Sequence, residues 1–107
     1  MYKAIIADDE PRIARMIKEM IDWDAMRIEV AGLAYNGVEA LKLIEEASPD
    51  IVITDIRMPG YDGIEIIRRA KEKGYHPYFI IISGYRHFEY AHSALKYNVE
   101  DYILKPV

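Results

Sequence analysis

Cysteine is missing from this chain of 107 residues. Disulfides, thiolate nucleophiles and zinc–thiolate sites are therefore excluded, and the composition suits a reducing cytoplasm. Basic charge is also in short supply: 14 Lys and Arg stand against 18 Asp and Glu, a formal charge of −4, with no block of Lys and Arg. Nucleic-acid binding by this segment is not expected. No apolar run approaches the roughly 18–20 residues of a membrane span. Met1-Tyr2-Lys3 leads into a strand-like stretch, not into the basic-then-apolar pattern of a secretory signal. Low-complexity tracts, long linkers and close repeats do not occur. What remains is 51% apolar and 30% charged residues, the composition of one globular domain, since two cores would each be too small to sustain themselves.

The chain alternates strand and helix patterns. Tyr2–Ala7 is a short apolar run that stops at Asp8-Asp9-Glu10, and Pro11 follows where a first helical turn tolerates it. Ile13, Met16, Ile17 and Met20 recur at helical spacing and predict one buried stripe, with the methionines, Met26 included, as core filler. Ile28–Ala34 reads as a second strand and Asn36-Gly37 as a turn. Val38, Leu41 and Ile44 then open a second helical stripe that ends at Ser48-Pro49. Ile51-Val52-Ile53-Thr54 is β-branched throughout, as in a strand buried on both faces. A loop with Pro59, Gly60 and Gly63 leads to a helix near Ile64–Lys73, and Phe79–Ile82 is the next strand. Phe88, Ala91 and Leu95 mark a fourth helix, and Tyr102-Ile103-Leu104 a last strand. This alternation predicts an α/β fold, a doubly wound five-stranded parallel sheet with right-handed crossovers.

In such a sheet, ligands sit beyond the carboxyl ends of the strands. Those ends carry Asp8 and Asp9, then Asp55, Ser83 and Lys105. Three carboxylates in one pocket repel one another, and a divalent cation resolves the conflict. Mg2+ suits such a site because it takes oxygen ligands and keeps several waters. Asp9 and Asp55 are the expected direct ligands, with Asp8 acting through water. A carboxylate is also a competent nucleophile toward a phosphoryl group. Lys105 and the Ser83 hydroxyl would then stabilise charge on the transferred oxygens.

These residues carry a resemblance. Ala7-Asp8-Asp9-Glu10, Asp55-Ile56-Arg57-Met58-Pro59 with Asp62-Gly63, Ile82-Ser83-Gly84 and Tyr102-Ile103-Leu104-Lys105-Pro106 fall in one order, each at a strand end. The chain resembles response-regulator receiver domains of bacterial two-component systems over essentially its whole length. The resemblance implies the strand order 2-1-3-4-5 and phosphorylation of Asp55 by a sensor histidine kinase. It also implies Mg2+ held by Asp9, Asp55 and the backbone carbonyl of Arg57, with Asp8 alongside, and a cis Lys105–Pro106 peptide. Ser83 and Tyr102 correspond to the family's switch pair, and Tyr85 lies where a bulky side chain screens the acyl phosphate from water. The switched surface would be that of the fourth helix and fifth strand. Gly84-Tyr85-Arg86-His87-Phe88 and Asp101–Val107 are similar to regulators with an AraC-type DNA-binding output, which would lie outside this segment.

The family's fifth helix has no counterpart before Val107. The expectation is a chain cut before its last helix, with self-association through the face thereby left open. Competing readings are an aspartate-nucleophile phosphatase, a flavodoxin-like cofactor binder and a phosphorylation-independent interaction module. The first wants a second acid where Arg57 stands, together with a substrate cap. The second wants a glycine-rich phosphate loop where Asp8-Asp9-Glu10 stands. The complete acceptor set argues against the third. His76, His87 and His92 lack ligand spacing and read as surface or loop residues. Arg68, Arg69, Lys71 and Lys73 read as a solvated helix face, and Trp23 as a cap on the end of the first helix.

Overall fold

The computed structural model describes residues 1–83 and 101–104, with Ser83 and the last four as backbone alone. In chain order the elements are β1 (Tyr2–Ala7), α1 (Pro11–Met20), β2 (Ile28–Ala34), α2 (Gly37–Ala47), β3 (Ile51–Asp55), α3 (Gly63–Glu72), β4 (Tyr78–Ser83) and β5 (Asp101–Leu104). A single 3-10 turn at Asp24–Met26 precedes β2. All strand pairs are parallel, in the order β2-β1-β3-β4-β5. The expected fourth helix, Tyr85 and the Lys105–Pro106 peptide lie outside the described residues.

Strand side chains alternate between two layers. Ile5, Val52, Phe79 and Ile81 meet Leu41 and Ile44 of α2 and Ile66, Ile67 and Ala70 of α3. Ile6, Ile53 and Ile82 meet Ala14 and Ile17 of α1 on the opposite face. Both faces of the central strands are therefore dry, which is why β3 reads as an unbroken β-branched run. Helices on both faces also force β1, β3 and β4 to end at one edge.

The helix stripes differ from the periodicity in two places. Met16 and Met20 are 39% and 55% exposed, and Met26 is exposed too, so none fills the core. The α1 interface is narrower than the apolar stripe: Ala14 and Ile17 are buried, Ile13 packs part-buried beside them, and Met16 and Met20 stay outside. Val38 is likewise exposed, and α2 buries Gly37, Ala40, Leu41 and Ile44 instead. Asn36 is a helix cap rather than a turn residue, accepting from the Glu39 N–H at 2.8 Å. At the far end of α2, Ser48 turns left-handed at φ 46°, since helical geometry is disfavoured before Pro49. Trp23 closes the end of α1 as expected, its indole N–H donating to the Lys18 carbonyl at 2.8 Å.

The basic run on α3 is ion-paired rather than simply solvated. Arg68 pairs with Glu65 and Glu72, Arg69 with Glu65, and Lys73 reaches Glu45 on α2. His76 is exposed in a loop, as its spacing suggests.

The buried face of α1 makes a measurable distinction. Ile17→Ala is expected to cost about 2–5 kcal/mol in urea unfolding, and Met20→Ala less than about 0.5 kcal/mol. Equal losses at the two positions would show that the stripe, and not Ala14 and Ile17 alone, is packed.

Candidate functional site

The site forms where β1 and β3 run out. β1 ends at Ala7, and the Asp8 N–H then donates to the Ala34 carbonyl at 3.0 Å, tying the turn to the end of β2. Asp8 is buried at 1% exposure. Its Oδ1 accepts the Glu10 N–H at 2.9 Å, which turns the chain so that α1 starts at Pro11. Asp9 is carried outward by that turn and is exposed. β3 delivers Asp55, 7% exposed, whose Oδ1 accepts the N–H of Ile56 at 2.7 Å. The preceding Thr54 is fully buried and donates its hydroxyl to the Asp55 carbonyl.

Asp8, Asp9 and Asp55 each bring a carboxylate oxygen within 4.8 Å of the other two. Like charges so close disfavour one another's ionised forms. The Asp9 carboxyl accordingly titrates above the ordinary carboxylate range, first through partial burial and next through the neighbouring Asp8 charge. The donor set is all hard oxygen, buried on two sides and open on the third. That arrangement fits a small divalent cation that keeps several waters. An open basin of about 440 Å³ adjoins the cluster at Asp9 and is lined by Asp9, Arg57, Met58, Pro59, Gly60 and Asp62. Arg57 is exposed on this rim, where its backbone follows Asp55 by two residues.

The other expected site residues divide by what is described. Ser83 ends β4, and the register pairs Asp55 with Ile82, so Ser83 lies at the carboxyl edge beside Asp55. Tyr102 is on β5, paired with Ile81, and Leu104 is paired with Ser83. Lys105 and Tyr85 lie outside the described residues. Two features escape the motif reading. Gly63, the first residue of α3, packs under Asp55: a β-carbon there would come within 2.5 Å of the Asp55 carbonyl oxygen. Asp62 caps the same helix by accepting the Glu65 N–H at 2.8 Å. The Asp62-Gly63 pair was visible in the sequence, but its packing against β3 is a tertiary contact that spacing does not reveal.

The sequence matches the family model described as "Response regulator receiver domain" over residues 4–107. It is 43% identical over 106 residues to the uncharacterized transcriptional regulatory protein YesN of Bacillus subtilis, covering 99% of this chain and 29% of that protein. It is 39% identical over 107 residues to the transcriptional regulatory protein HptR of Staphylococcus aureus, covering 100% of this chain and 42% of that protein. The chain thus spans less than half the length of these curated relatives. Among solved structures, the REC domain of AraT, a response regulator from Geobacillus stearothermophilus, superposes with a TM-score of 0.93 at 40% identity. That superposition covers 99% of this chain and 82% of the other. Sequence match, sheet order and acidic cluster agree over nearly the whole length, and the chain belongs to the response regulator receiver domain family.

Proposed function

We propose that this domain is the phospho-accepting input of a two-component transcriptional regulator, with Asp55 taking a phosphoryl group from a sensor histidine kinase in a Mg2+-dependent step. The observation that supports it most is the cluster of Asp8, Asp9 and Asp55 at the ends of β1 and β3. Asp55 is the nucleophile: its carboxylate oxygen forms the new O–P bond while the donor's N–P bond breaks and the imidazole departs with the electron pair. The hydrogen bond from Ile56 N–H to Oδ1 fixes the rotation of the carboxylate before the reaction. Asp9, Asp55 and the Arg57 carbonyl would hold the metal, with Asp8 acting through water. When bound, Mg2+ neutralises charge among the acids and on the phosphoryl oxygens.

The remaining roles rest on the resemblance. Ser83 donates to a phosphoryl oxygen from the end of β4, and Lys105, one residue past β5, supplies a point charge. Tyr102 on β5 follows the Ser83 movement, and Tyr85 screens the acyl phosphate from water. Phosphorylation thereby switches the surface of the fourth helix and fifth strand. The curated relatives are named as transcriptional regulators and extend well beyond the matched segment. A DNA-binding output of AraC type outside these residues, and a cytoplasmic location, complete the reading. No helix among the described residues is long and apolar enough to cross a membrane. Receiver domains are normally signalling modules and not turnover enzymes, and the exposed Arg57 in place of a second acid agrees with that.

Intact-mass spectrometry after incubation with a small phosphodonor tests the chemistry. One phosphoryl group is expected, requiring Mg2+ and lost in Asp55→Asn. A folded wild-type chain without any adduct would replace this reading with a phosphorylation-independent interaction module. The acidic cluster makes a second prediction. In EDTA, Asp9→Asn is expected to raise stability by roughly 1 kcal/mol, the magnitude for like charges about 4 Å apart in a water-like dielectric. Mg2+ is expected to raise the urea midpoint of the wild type and leave that variant nearly unmoved. Equal Mg2+ effects on both proteins would remove Asp9 from the metal site.

A further inference from the structure

The loop that carries Arg57 is held in the middle as well as at its ends. At its start Ile56 is fixed to Asp55, and at its end the Gly63 N–H donates to the Ile56 carbonyl at 2.6 Å. Between these points it rests on the first turn of α2. The Gly37 N–H donates to the Pro59 carbonyl at 2.9 Å. The Gly37 α-carbon lies so close to Tyr61 that a β-carbon would overlap the Tyr61 carbonyl and stand 2.5 Å from its nitrogen. Gly60 faces Val38 in the same turn, its own missing β-carbon 3.0 Å from Val38 Cγ2. Three consecutive loop positions are thus seated on two residues of α2.

The other end of the same short connection holds the acidic half of the site. Ala34, the last residue of β2, accepts the Asp8 N–H at 3.0 Å. Only Tyr35 and Asn36 separate Ala34 from Gly37, and both are tied down. Glu39 Oε1 accepts the Tyr35 N–H at 2.9 Å, and Asn36 caps the helix through the Glu39 N–H. The segment Ala34–Gly37 therefore bridges Asp8 on one side and the Arg57 loop on the other.

We propose that Gly37 is a positioning residue for the metal site, and that the Ala34–Gly37 bridge sets the spacing between the acidic pair and the Arg57 carbonyl. The proposal rests on the reading that this carbonyl is a metal ligand. Gly37 is not itself a ligand; it acts through the Pro59–Tyr61 backbone. Supports of this outer kind typically change metal affinity by about 10–100-fold when removed. A side chain at position 37 has only backbone to displace, and the loop is what gives way.

Mn2+, followed by electron paramagnetic resonance of the free ion, is the probe. Gly37→Ala is expected to bind Mn2+ at least about tenfold more weakly than the wild type. Asn36→Ala, which loosens the turn without adding bulk, moves affinity in the same direction, and Asn36→Ser restores it by keeping a cap. Leu43→Ala serves as the matched control: it lowers the urea midpoint from a position away from the site and leaves Mn2+ affinity unchanged. Wild-type affinity in folded Gly37→Ala and in Asn36→Ala overturns the proposal. Should Gly37→Ala fail to fold, the Asn36 pair decides alone. Absence of Mn2+ binding in the wild type overturns instead the metal-site reading on which the proposal rests.

Discussion

Mutual repulsion among three carboxylates is the constraint around which the domain is arranged. Asp8 and Asp55 are buried, and with Asp9 they place oxygens within 4.8 Å of one another. Left to itself, a chain spreads such charges into water. Here the spreading is prevented by elements that have no choice of position. β1 and β3 are adjacent parallel strands, paired from Ala4 with Ile51 to Ala7 with Thr54, so their carboxyl ends arrive together. Both are sealed on both faces by helices, and neither strand slides without exposing Ile5, Ile6, Val52 or Ile53. Apolar packing thus offsets an electrostatic cost concentrated at one edge. A divalent cation turns that cost into a binding site.

The packing around α3 shows how the surrounding layer is kept rigid with modest means. Glu65 is shared between Arg68 and Arg69, and its carboxyl is held below the usual range, chiefly by the Arg68 hydrogen bond. Arg69 also lies 4.2 Å over the ring of Tyr61, a contact between helix and site loop. Lys73 joins Glu45 across the α2–α3 seam. Exposed pairs of this kind contribute little singly. Their value is directional: three lie along α3, and the Lys73–Glu45 pair ties its end to α2, the two helices whose first turns frame the loop from Ile56 to Asp62.

Much of this was legible in the sequence, for identifiable reasons. β1, β2 and β3 begin at the residues the apolar runs indicate; for β3, buried on both faces, burial is carried in composition alone, whereas β2 is an edge strand with a mixed burial pattern. Asp8, Asp9 and Asp55 could be brought together from the rule that ligands collect at the carboxyl edge of a doubly wound sheet. What periodicity could not settle was the width of each helix interface. Met16, Met20 and Val38 keep helical spacing, yet Ala14 and Ala40 are the residues buried beside them and the larger side chains stay outside. Gly37 illustrates the second kind of silence. After Asn36 it has the signature of a turn, whereas its lack of a β-carbon answers to the Tyr61 backbone, a partner 24 residues away that no local pattern announces.

The same electrostatic arrangement explains why the proposed chemistry suits a switch better than a turnover site. Three carboxyl groups share one edge of a fold of only 107 residues. Forming the proposed acyl phosphate at Asp55 would exchange one unit of negative charge for a phosphoryl group bearing about −1.5 to −2 and three strong acceptor oxygens. The added oxygens must find donors near the ends of β3 and β4, and the Asp55–Ile82 register places Ser83 there. A donor drawn toward Asp55 from the end of β4 acts on a strand paired directly with β5, where Ser83 stands opposite Leu104 and Ile81 opposite Tyr102. On the other side, the loop after Asp55 is fastened to α2 and α3 and resists movement. On the reading proposed above, the response to new charge would run across β4 toward β5, away from the fastened half of the site. An enzyme releases its product and returns to the same state; a switch of the proposed kind would instead keep its covalent charge and bias the sheet edge beside it.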